Sequence, residues 1–281
     1  MLTEQERDRV CVVLVRARNP SNIGAVARAM HDFGFSRLRV VNEFAAPFEG
    51  ARSAVDASEV LARAVRCASV AEAVADCTLV AGTTAVGERN LQHKLLELAE
   101  AAPLIRAELR REPAQRDQAA MVEASQADGG NNAPQVALLF GSEKTGLSNE
   151  ELSHCNWLLT IPMQQHADVR HASMNLGQAV AVCLYELARK PSESAADGEA
   201  AGSGARIQSP APADAATLER LTALLTEVLE KTGYPRRHPG QSDPATMRRL
   251  LLRMGVDAED AVAWQGILRQ VLWKLGERRR E

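Results

Sequence analysis

The sequence predicts an α/β fold, with a mostly parallel β-sheet covered by helices on both faces and a small all-α extension at its C-terminal end. Five short apolar runs bounded by turn residues indicate buried strands, and helical patterns separate them. This alternation is typical of parallel sheets. A segment rich in Pro, Gly, Ser and Ala then precedes purely helical periodicity. We therefore expect a main domain over 1–190, a flexible linker over 191–215 and a helical extension over 216–281.

The individual elements follow from local patterns. The predicted strands are 10–15, 38–41, the run CTLVAG that ends at Gly82, 135–141 and 157–162. The predicted helices are the run GAVARAMHDFG that ends at Gly34, 52–76, about 94–111, 175–189, 216–233, 244–254 and 258–276, with a loop over 112–134. Because ligands bind at the carboxyl ends of parallel strands, we expect a site formed by the loops after Gly82, Gly141 and Pro162.

Composition excludes several classes of protein. The 281 residues include 33 Lys and Arg and 36 Asp and Glu, so the net charge of -3 gives no global reason to expect nucleic acid. A basic excess does occur near the C-terminal end, where six basic residues between Lys231 and Arg253 face only Asp243. A solvated helical face explains such a run as well as a phosphate site does. No apolar run of about 18 residues predicts a membrane span.

The cysteines and the absence of common motifs exclude further classes of protein. The five cysteines are scattered and form no C-x-x-C pair, which fits a reducing cytoplasm, and the six histidines show no metal-ligand spacing. The dinucleotide and phosphate-loop glycine patterns are both absent, which disfavours a dehydrogenase and a nucleotide triphosphatase. We therefore expect no metal, no signal peptide and no membrane association.

Three segments combine polar residues with a strand end or a helix start. Asn22 and Arg28 lie six residues apart across a helix start, FGSEKTGLS follows a buried strand, and SMNLGQAVAVCLYEL begins the last helix of the main domain. Helix capping explains each segment taken alone: Ser148 is positioned to cap the residues after it, and Ser173 or Asn175 to cap the last helix.

Taken in order, the segments VRARNPSNIGAVARAMHDFGF, ALLFGSEKTGLSNEEL and SMNLGQAVAVCLYEL resemble the three motifs of the SPOUT-class (TrmH/SpoU) RNA 2'-O-ribose methyltransferases, and their wording is closest to the TrmJ branch. The resemblance covers 10–190 and extends weakly into the C-terminal segment. It implies a SPOUT fold with a deep trefoil knot, S-adenosyl-L-methionine as methyl donor and S-adenosyl-L-homocysteine as product. The implied reaction is methylation of a ribose in RNA. The closer resemblance to the TrmJ branch implies that this ribose belongs to a pyrimidine at nucleotide 32 of the tRNA anticodon loop.

The resemblance also implies roles for individual residues. Arg28 matches the catalytic arginine; since a guanidinium stays protonated, we expect it to grip a phosphate rather than to act as a simple base. The further polar positions of the site are Asn22, Glu143, Ser173 and Asn175. The residues expected to line the donor pocket are Thr83, Thr84, Ala85, Gly141, Ile161, Ala172, Ser173 and Met174.

RNA contacts and assembly are implied in the same way. The family forms homodimers in which the partner's Asn22–Arg28 region completes each site. Basic residues expected to contact RNA are Arg28, Arg89, Arg170, Arg236, Arg237, Arg248 and Arg249. The loops over 86–89 and 162–172 depart from the family pattern, so the resemblance leaves open whether these two loops change the substrate, while it still implies the same reaction. The alternatives are the same chemistry on ribosomal RNA or on another tRNA nucleotide, and an RNA-binding module of this fold without turnover.

Overall fold

The structure, a computed structural model, describes residues 1–41, 58–85, 92–111, 133–164, 174–190, 211–238 and 240–277. Within these ranges the chain forms one seven-stranded sheet. Its strands are β1 (Val10–Val15), β2 (Arg37–Val41), β3 (Val65–Cys67), β4 (Leu79–Thr83), β5 (Leu95–Glu97), β6 (Val136–Phe140) and β7 (Trp157–Thr160). The strand order is β3-β2-β1-β6-β4-β7-β5, and every neighbouring pair is parallel. The predicted α/β class with a parallel sheet is confirmed.

Eleven helices are found in the same ranges. They are α1 (Glu4–Arg7), α2 (Pro20–Asp32), α3 (Ser58–Arg63), α4 (Val70–Ala73), α5 (Leu98–Leu109), α6 (Asn149–Leu152), α7 (Leu176–Ala188), α8 (Ala215–Thr232), α9 (Tyr234–Arg237), α10 (Pro244–Met254) and α11 (Ala258–Glu277). Among the described residues, no helix combines the length and apolarity that crossing a lipid bilayer requires.

The sheet separates two apolar layers because side chains of a strand alternate between its faces. On one face, Val12 and Leu14 pack in a cluster with residues of α2, α5 and α7. On the other face, Cys11, Val13 and Val15 pack with residues of α4 and α6. All six residues of β1 are buried, which explains why its sequence is an unbroken apolar run.

Two helix predictions are wrong in part. Within the predicted helix 52–76, residues 52–57 lie outside the described ranges, and β3 separates α3 from α4. The predicted helix that begins near Lys94 starts instead with β5, and α5 begins only at Leu98. Each of these strands has three residues and pairs with a single neighbour, β2 or β7. Strands this short show no periodicity, so tertiary pairing rather than local propensity determines them.

The cysteines are buried and unpaired, as five free thiols. Burial raises the pKa of Cys11 to about 11 and that of Cys183 to about 12. Since the thiolate is the reactive form, neither residue is a nucleophile at neutral pH.

The C-terminal helices pack on the sheet domain and on each other. The backbone N–H groups of Ala215 and Ala216 donate to the carbonyls of Cys77 and Ala75, at 3.0 and 3.1 Å. Between the helices, an apolar cluster includes Leu221, Leu251 and Leu268. Residues 191–210 of the predicted linker lie outside the described ranges. The boundaries of the main domain, the linker and the helical extension therefore stay a prediction.

His154 lies where these helices meet the sheet domain. Its side chain is 10% exposed, and its Nδ1 lies 4.0 Å from a carboxylate oxygen of Glu219 on α8. Burial, followed by the positive charge of Arg248, lowers the pKa of His154 from its usual 6.5 to about 4, although Glu219, Glu150 and Glu151 oppose this. The neutral imidazole is therefore the form that the folded state favours.

This environment predicts an acid sensitivity. Between pH 6.5 and 4 the unfolded chain binds a proton at His154 that the folded chain does not, so the free energy of unfolding falls as the pH falls. Between pH 7 and pH 5 the wild-type protein is expected to lose part of its free energy of unfolding. We expect His154→Gln to make this loss smaller by up to about 2 kcal/mol, as measured by urea unfolding at the two pH values. His31→Gln, at a site 59% exposed, is the control and is expected to leave that loss unchanged. Equal losses in wild type and His154→Gln would contradict the assignment.

Candidate active site

The candidate site lies at the carboxyl ends of four adjacent strands, β1, β6, β4 and β7. Since all strands run in the same direction, the segments that follow them emerge at one edge of the sheet. These segments begin at Arg16, Gly141, Thr84 and Ile161. The structure thus brings together all three loops that the sequence predicts to hold a ligand, and adds the loop after β1.

The turn after β6 depends on glycine. A Cβ atom on Gly141 would lie 2.2 Å from the carbonyl carbon of Gly146 and 2.3 Å from the nitrogen of Leu147, and both are backbone atoms. The turn closes through a hydrogen bond from Gly146 N to Ser142 O at 2.7 Å, and Gly146 has φ +65°. This tight closure holds Glu143 at its tip, on the side that faces α2.

A hydrogen-bond network joins the three sequence motifs. Asn22 Nδ2 donates to Glu143 Oε1 at 3.0 Å, and Asn175 Nδ2 donates to Asn22 Oδ1 at 2.9 Å. Asn175 also caps α7, because its Oδ1 accepts from Gly177 N at 2.9 Å. The backbone N–H groups of Arg18 and Asn19 donate to the two Glu143 oxygens, at 3.3 and 3.4 Å. Three predicted polar residues therefore meet at one point.

These hydrogen bonds fix the charge state of Glu143. Burial raises the pKa of this carboxyl, but the bonds from Asn22 and from the two backbone N–H groups outweigh that effect and lower the pKa below its usual 4.5. Glu143 is therefore an acceptor at neutral pH and cannot donate a proton. In this environment it orients Asn22 rather than acting as a general acid.

Close helix packing supports the same network. Gly177, in the first turn of α7, faces α2, and a Cβ there would lie 2.6 Å from the Cβ of Ala25. The absence of a side chain lets α7 approach α2 closely enough for Asn175 to reach Asn22. In the predicted scheme Gly177 had no role, although a glycine directly after a helix start is a visible signal.

Arg16 is a residue of the site that the sequence predictions missed. It follows β1 directly and has φ +56°, a left-handed conformation that is uncommon for a residue with a side chain. Its Nε and one terminal nitrogen donate to the two carboxylate oxygens of Glu151, at 2.6 and 2.9 Å. The same terminal nitrogen donates to Gly146 O at 3.1 Å. The local sequence VRARNP contains no glycine or asparagine at this position, so nothing in it predicts a left-handed residue here.

The predicted donor-pocket residues that are described lie at the same edge. Thr83 Oγ1 donates to Leu139 O at 2.8 Å and Thr84 N donates to Leu159 O at 3.0 Å, so the loop after β4 is tied to both neighbouring strands. Thr84, Ile161 and Met174 are half-buried, and Ala85 is exposed. Ala172 and Ser173 lie outside the described residues, as does much of the segment that would form the predicted knot.

The predicted RNA-contact residues fall into four groups, of which the buried Arg248 is described separately below. Arg28, Arg236 and Arg237 are exposed, and Arg28 makes no ion pair within the part of the chain that the structure describes. Arg249 is half-buried and donates to Thr246 Oγ1 at 2.8 Å. Arg89 and Arg170 lie outside the described residues.

Arg248 contradicts its prediction. Its side chain is only 7% exposed and its guanidinium is engaged by Glu219, Glu150 and Ser153. A buried, fully engaged guanidinium does not reach an RNA phosphate, so Arg248 is withdrawn from the RNA-contact set. The basic run that contains it could not reveal this, because its acceptors lie about 30 and 100 residues away along the chain.

The comparisons with known proteins now bear on this site. The model of the SpoU rRNA Methylase family matches residues 9–185, which include β1, β6, β7 and most of α7. A relative from Pectobacterium atrosepticum, described as tRNA (cytidine/uridine-2'-O-)-methyltransferase TrmJ, is 33% identical over 94% of this chain and 97% of its own. The chain belongs to the SpoU methylase family. Its similarity to TrmJ proteins extends beyond the matched domain into the C-terminal helices.

Solved structures support the same family. The crystal structure of TrmJ from Z. mobilis ZM4 aligns with a TM-score of 0.69 and 27% identity, and covers 93% of this chain and 98% of that one. A probable methyltransferase from Bordetella pertussis aligns with a TM-score of 0.52 and 27% identity over 66% of this chain and 98% of that one. Among the described residues of this SpoU-family chain, no group of three His, Cys, Asp or Glu side chains could hold a metal ion.

The Glu143 network generates a prediction. Glu143→Gln keeps one oxygen but turns the other acceptor into an NH₂ donor that opposes a backbone N–H. We expect the free energy of unfolding at pH 7 to fall by about 1 kcal/mol. Because the pKa of Glu143 is lowered on folding, its stabilisation is present above pH 4.5 and is lost as the pH falls through the folded pKa, so the difference from wild type narrows at low pH.

Urea unfolding at pH 7 and below pH 4 measures this difference. Glu230→Gln, at an exposed position on α8, is the matched control and is expected to show no difference at either pH. A Glu143→Gln difference that stays constant or widens on acidification would show that the ionised carboxylate does not hold the network together.

Proposed function

We propose that this protein transfers a methyl group from S-adenosyl-L-methionine to a ribose 2'-hydroxyl of tRNA, with a pyrimidine at nucleotide 32 as the target. The observation that carries the proposal is the convergence of Asn22, Glu143 and Asn175 at the strand ends of a SpoU-family domain. Relatives named as tRNA (cytidine/uridine-2'-O-)-methyltransferases cover more than nine-tenths of the chain and support tRNA over ribosomal RNA. The family's own description names rRNA, so ribosomal RNA is the second candidate.

The residues at this edge fit a nucleoside-like donor. The loops after β4, β6 and β7 are neighbours, and each begins with small or uncharged residues, Thr84 and Ala85, Gly141 and Ile161, which suit a nucleoside read through backbone groups. Gly141 keeps the middle loop free of a side chain where the backbone is most crowded. When bound there, S-adenosyl-L-methionine supplies an electrophilic methyl group on its sulfonium. The proposed donor-binding residues are Thr83, Thr84, Ala85, Gly141, Ile161, Ala172, Ser173 and Met174.

Arg28 is the proposed residue that acts on the RNA. It lies on the exposed face of α2, one to two turns beyond Asn22. A planar guanidinium can grip a phosphate through two parallel hydrogen bonds and so hold the adjacent ribose hydroxyl in line. Since Arg28 has no acceptor, the hydroxyl proton passes to a phosphate oxygen or to water. Asn22, Glu143, Ser173 and Asn175 orient the segment that carries Arg28, or the ribose.

The proposed assembly is a homodimer with a shared site. Within one chain, Asn22 is bonded to Glu143 and Asn175, so the network is complete in a single subunit. Arg28 lies instead among the exposed residues of α2, which include Ser21, Ala25 and Asp32. This arrangement fits a guanidinium that serves the donor pocket of a second subunit, in a fold that carries the family's trefoil knot.

The C-terminal helices are proposed to position the tRNA. Arg236 and Arg237 are exposed on α9, and Arg249 lies on α10. Together with Arg89 and Arg170 they would contact phosphates, which fixes register without reading the base sequence.

The direct test is methyl transfer to defined RNAs, with the product located by nuclease digestion and mass spectrometry. We expect a 2'-O-methyl group at nucleotide 32 of tRNA. Arg28→Lys keeps the charge but loses the planar fork, so kcat is expected to fall about a hundredfold with little change in donor affinity. Arg63→Lys, at an exposed position on α3, is the control. Transfer to ribosomal RNA alone would contradict the substrate, and near-normal turnover of Arg28→Lys would contradict the two-point grip.

Mixed subunits test whether Arg28 acts across a dimer. Arg28→Ala removes the grip, and Ala85→Trp is expected to fill the donor pocket, so each variant alone should be inactive. If the site is shared between subunits, random mixing restores roughly a quarter of the sites, because half of the dimers are mixed and each holds one intact site. Methyl transfer by the co-refolded mixture measures this. No recovered activity, or a monomer in sedimentation, would contradict the shared site.

A further inference from the structure

Arg248 forms the most buried charged contact between the C-terminal helices and the sheet domain. Its Nε and one terminal nitrogen donate to the two oxygens of Glu219 on α8, at 2.7 and 2.8 Å. Its other terminal nitrogen donates to Glu150 Oε1 at 3.1 Å and to Ser153 Oγ at 2.5 Å. The hydrogen bonds from Arg248 hold the pKa of Glu219 below its usual range, so this pair is ionised at neutral pH. One guanidinium thus connects α8 and α10 to α6.

The short helix α6 is held from its other side by Arg16. Glu151, the residue after Glu150, accepts the bidentate pair from Arg16, and it also closes the capping box with Ser148. Arg16 in turn donates to Gly146 O, in the turn whose tip is Glu143. The contacts therefore run without a break from Arg248 through α6 to the two loops that meet in the Glu143 network.

The backbone conformation of Arg16 makes this chain of contacts depend on the bonds that hold Arg16 in place. A left-handed backbone in a residue with a side chain costs about 1 kcal/mol or more and persists only when surrounding contacts hold it. Two residues later, the N–H groups of Arg18 and Asn19 point at Glu143. A cavity of about 370 Å³, lined by Arg16, Glu151, Glu219 and Arg248 among others, lies beside the chain of contacts. Ion pairs therefore connect α10, α6 and the residue after β1 across this cavity, in addition to the packed side chains of α6.

We propose that Arg248 is a positioning residue for methyl transfer, acting through Glu150, Glu151 and Arg16 to hold the segment over 16–22, which comprises the loop after β1 and the start of α2, in its working geometry. The C-terminal helices then have a second task besides holding RNA, since their docking sets the geometry of the reaction site. This inference rests on the proposed function only where it is tested by the rate of methyl transfer.

Two other roles for Arg248 make different predictions. A phosphate contact would weaken tRNA binding and reduce its salt dependence by about one unit of slope. A purely structural ion pair would lower the free energy of unfolding but leave kcat of the folded enzyme unchanged.

The test compares Arg248→Met, Arg248→Lys and Arg16→Lys in the full chain. We expect Arg248→Met to lower kcat ten- to a hundredfold at saturating donor and tRNA, with tRNA affinity and its salt slope within about twofold of wild type. Arg248→Lys should recover part of kcat. The double variant Arg16→Lys with Arg248→Met should be no slower than the slower single variant, because both act through one path. Unchanged kcat, or a reduced salt slope, would overturn the proposal.

A second measurement does not depend on activity. Amide hydrogen exchange at Arg18 and Asn19 should accelerate at least tenfold in Arg248→Met, although both lie outside the contacts of Arg248 itself. Arg220→Gln, on α8 beside Glu219, is the control and should change neither exchange nor kcat. If Arg248→Met does not fold, Glu150→Ala replaces it, since that variant breaks the contact from Arg248 to α6 at an exposed side chain and leaves the pair with Glu219 in place. Unchanged exchange at 18 and 19 in a folded variant overturns the inference, whereas an inactive wild type would instead overturn the proposed function.

Discussion

The carboxylate of Glu143 is the group on which the geometry of the site depends. It accepts from Asn22 and from two consecutive backbone N–H groups, and it thereby joins segments that lie more than 120 residues apart in the chain. Hydrogen bonds to an ionised acceptor are stronger than those between neutral groups, so they favour this arrangement of the loops. Asn175 extends the same network to the N-terminal end of α7. The candidate site is therefore built by polar contacts between loops on a parallel sheet.

Backbone geometry makes these contacts possible. Parallel strands deliver the ends of β1, β6, β4 and β7 to one edge, and two glycines remove side chains where the chain is most crowded. Gly141 allows the turn that presents Glu143, and Gly177 allows α7 to lie against α2. The left-handed Arg16 completes the arrangement, held by Glu151 rather than by its own backbone preference.

Sequence reasoning succeeded where a local pattern reflects burial or a motif. The unbroken apolar run of β1 predicted a buried strand, which the structure confirms. The structure also brings the motif residues Asn22, Glu143 and Asn175 together, although their roles in the site stay a prediction. Sequence reasoning failed for β3 and β5, whose three residues carry no periodicity and form strands only through their neighbours. It also failed for Arg16 and Arg248, because an ion pair between distant residues leaves no local trace. A basic run on a helix looks the same whether its arginines face RNA or a buried carboxylate.

A crystal structure of the protein with S-adenosyl-L-homocysteine tests the central claim most directly. The account predicts that the bound nucleoside contacts the loops that begin at Thr84, Gly141 and Ile161, with the guanidinium of Arg28 from one of the two subunits beside the sulfur. A ligand bound instead in the cavity between Arg16 and Arg248, or a pocket that no Arg28 can approach, would contradict it.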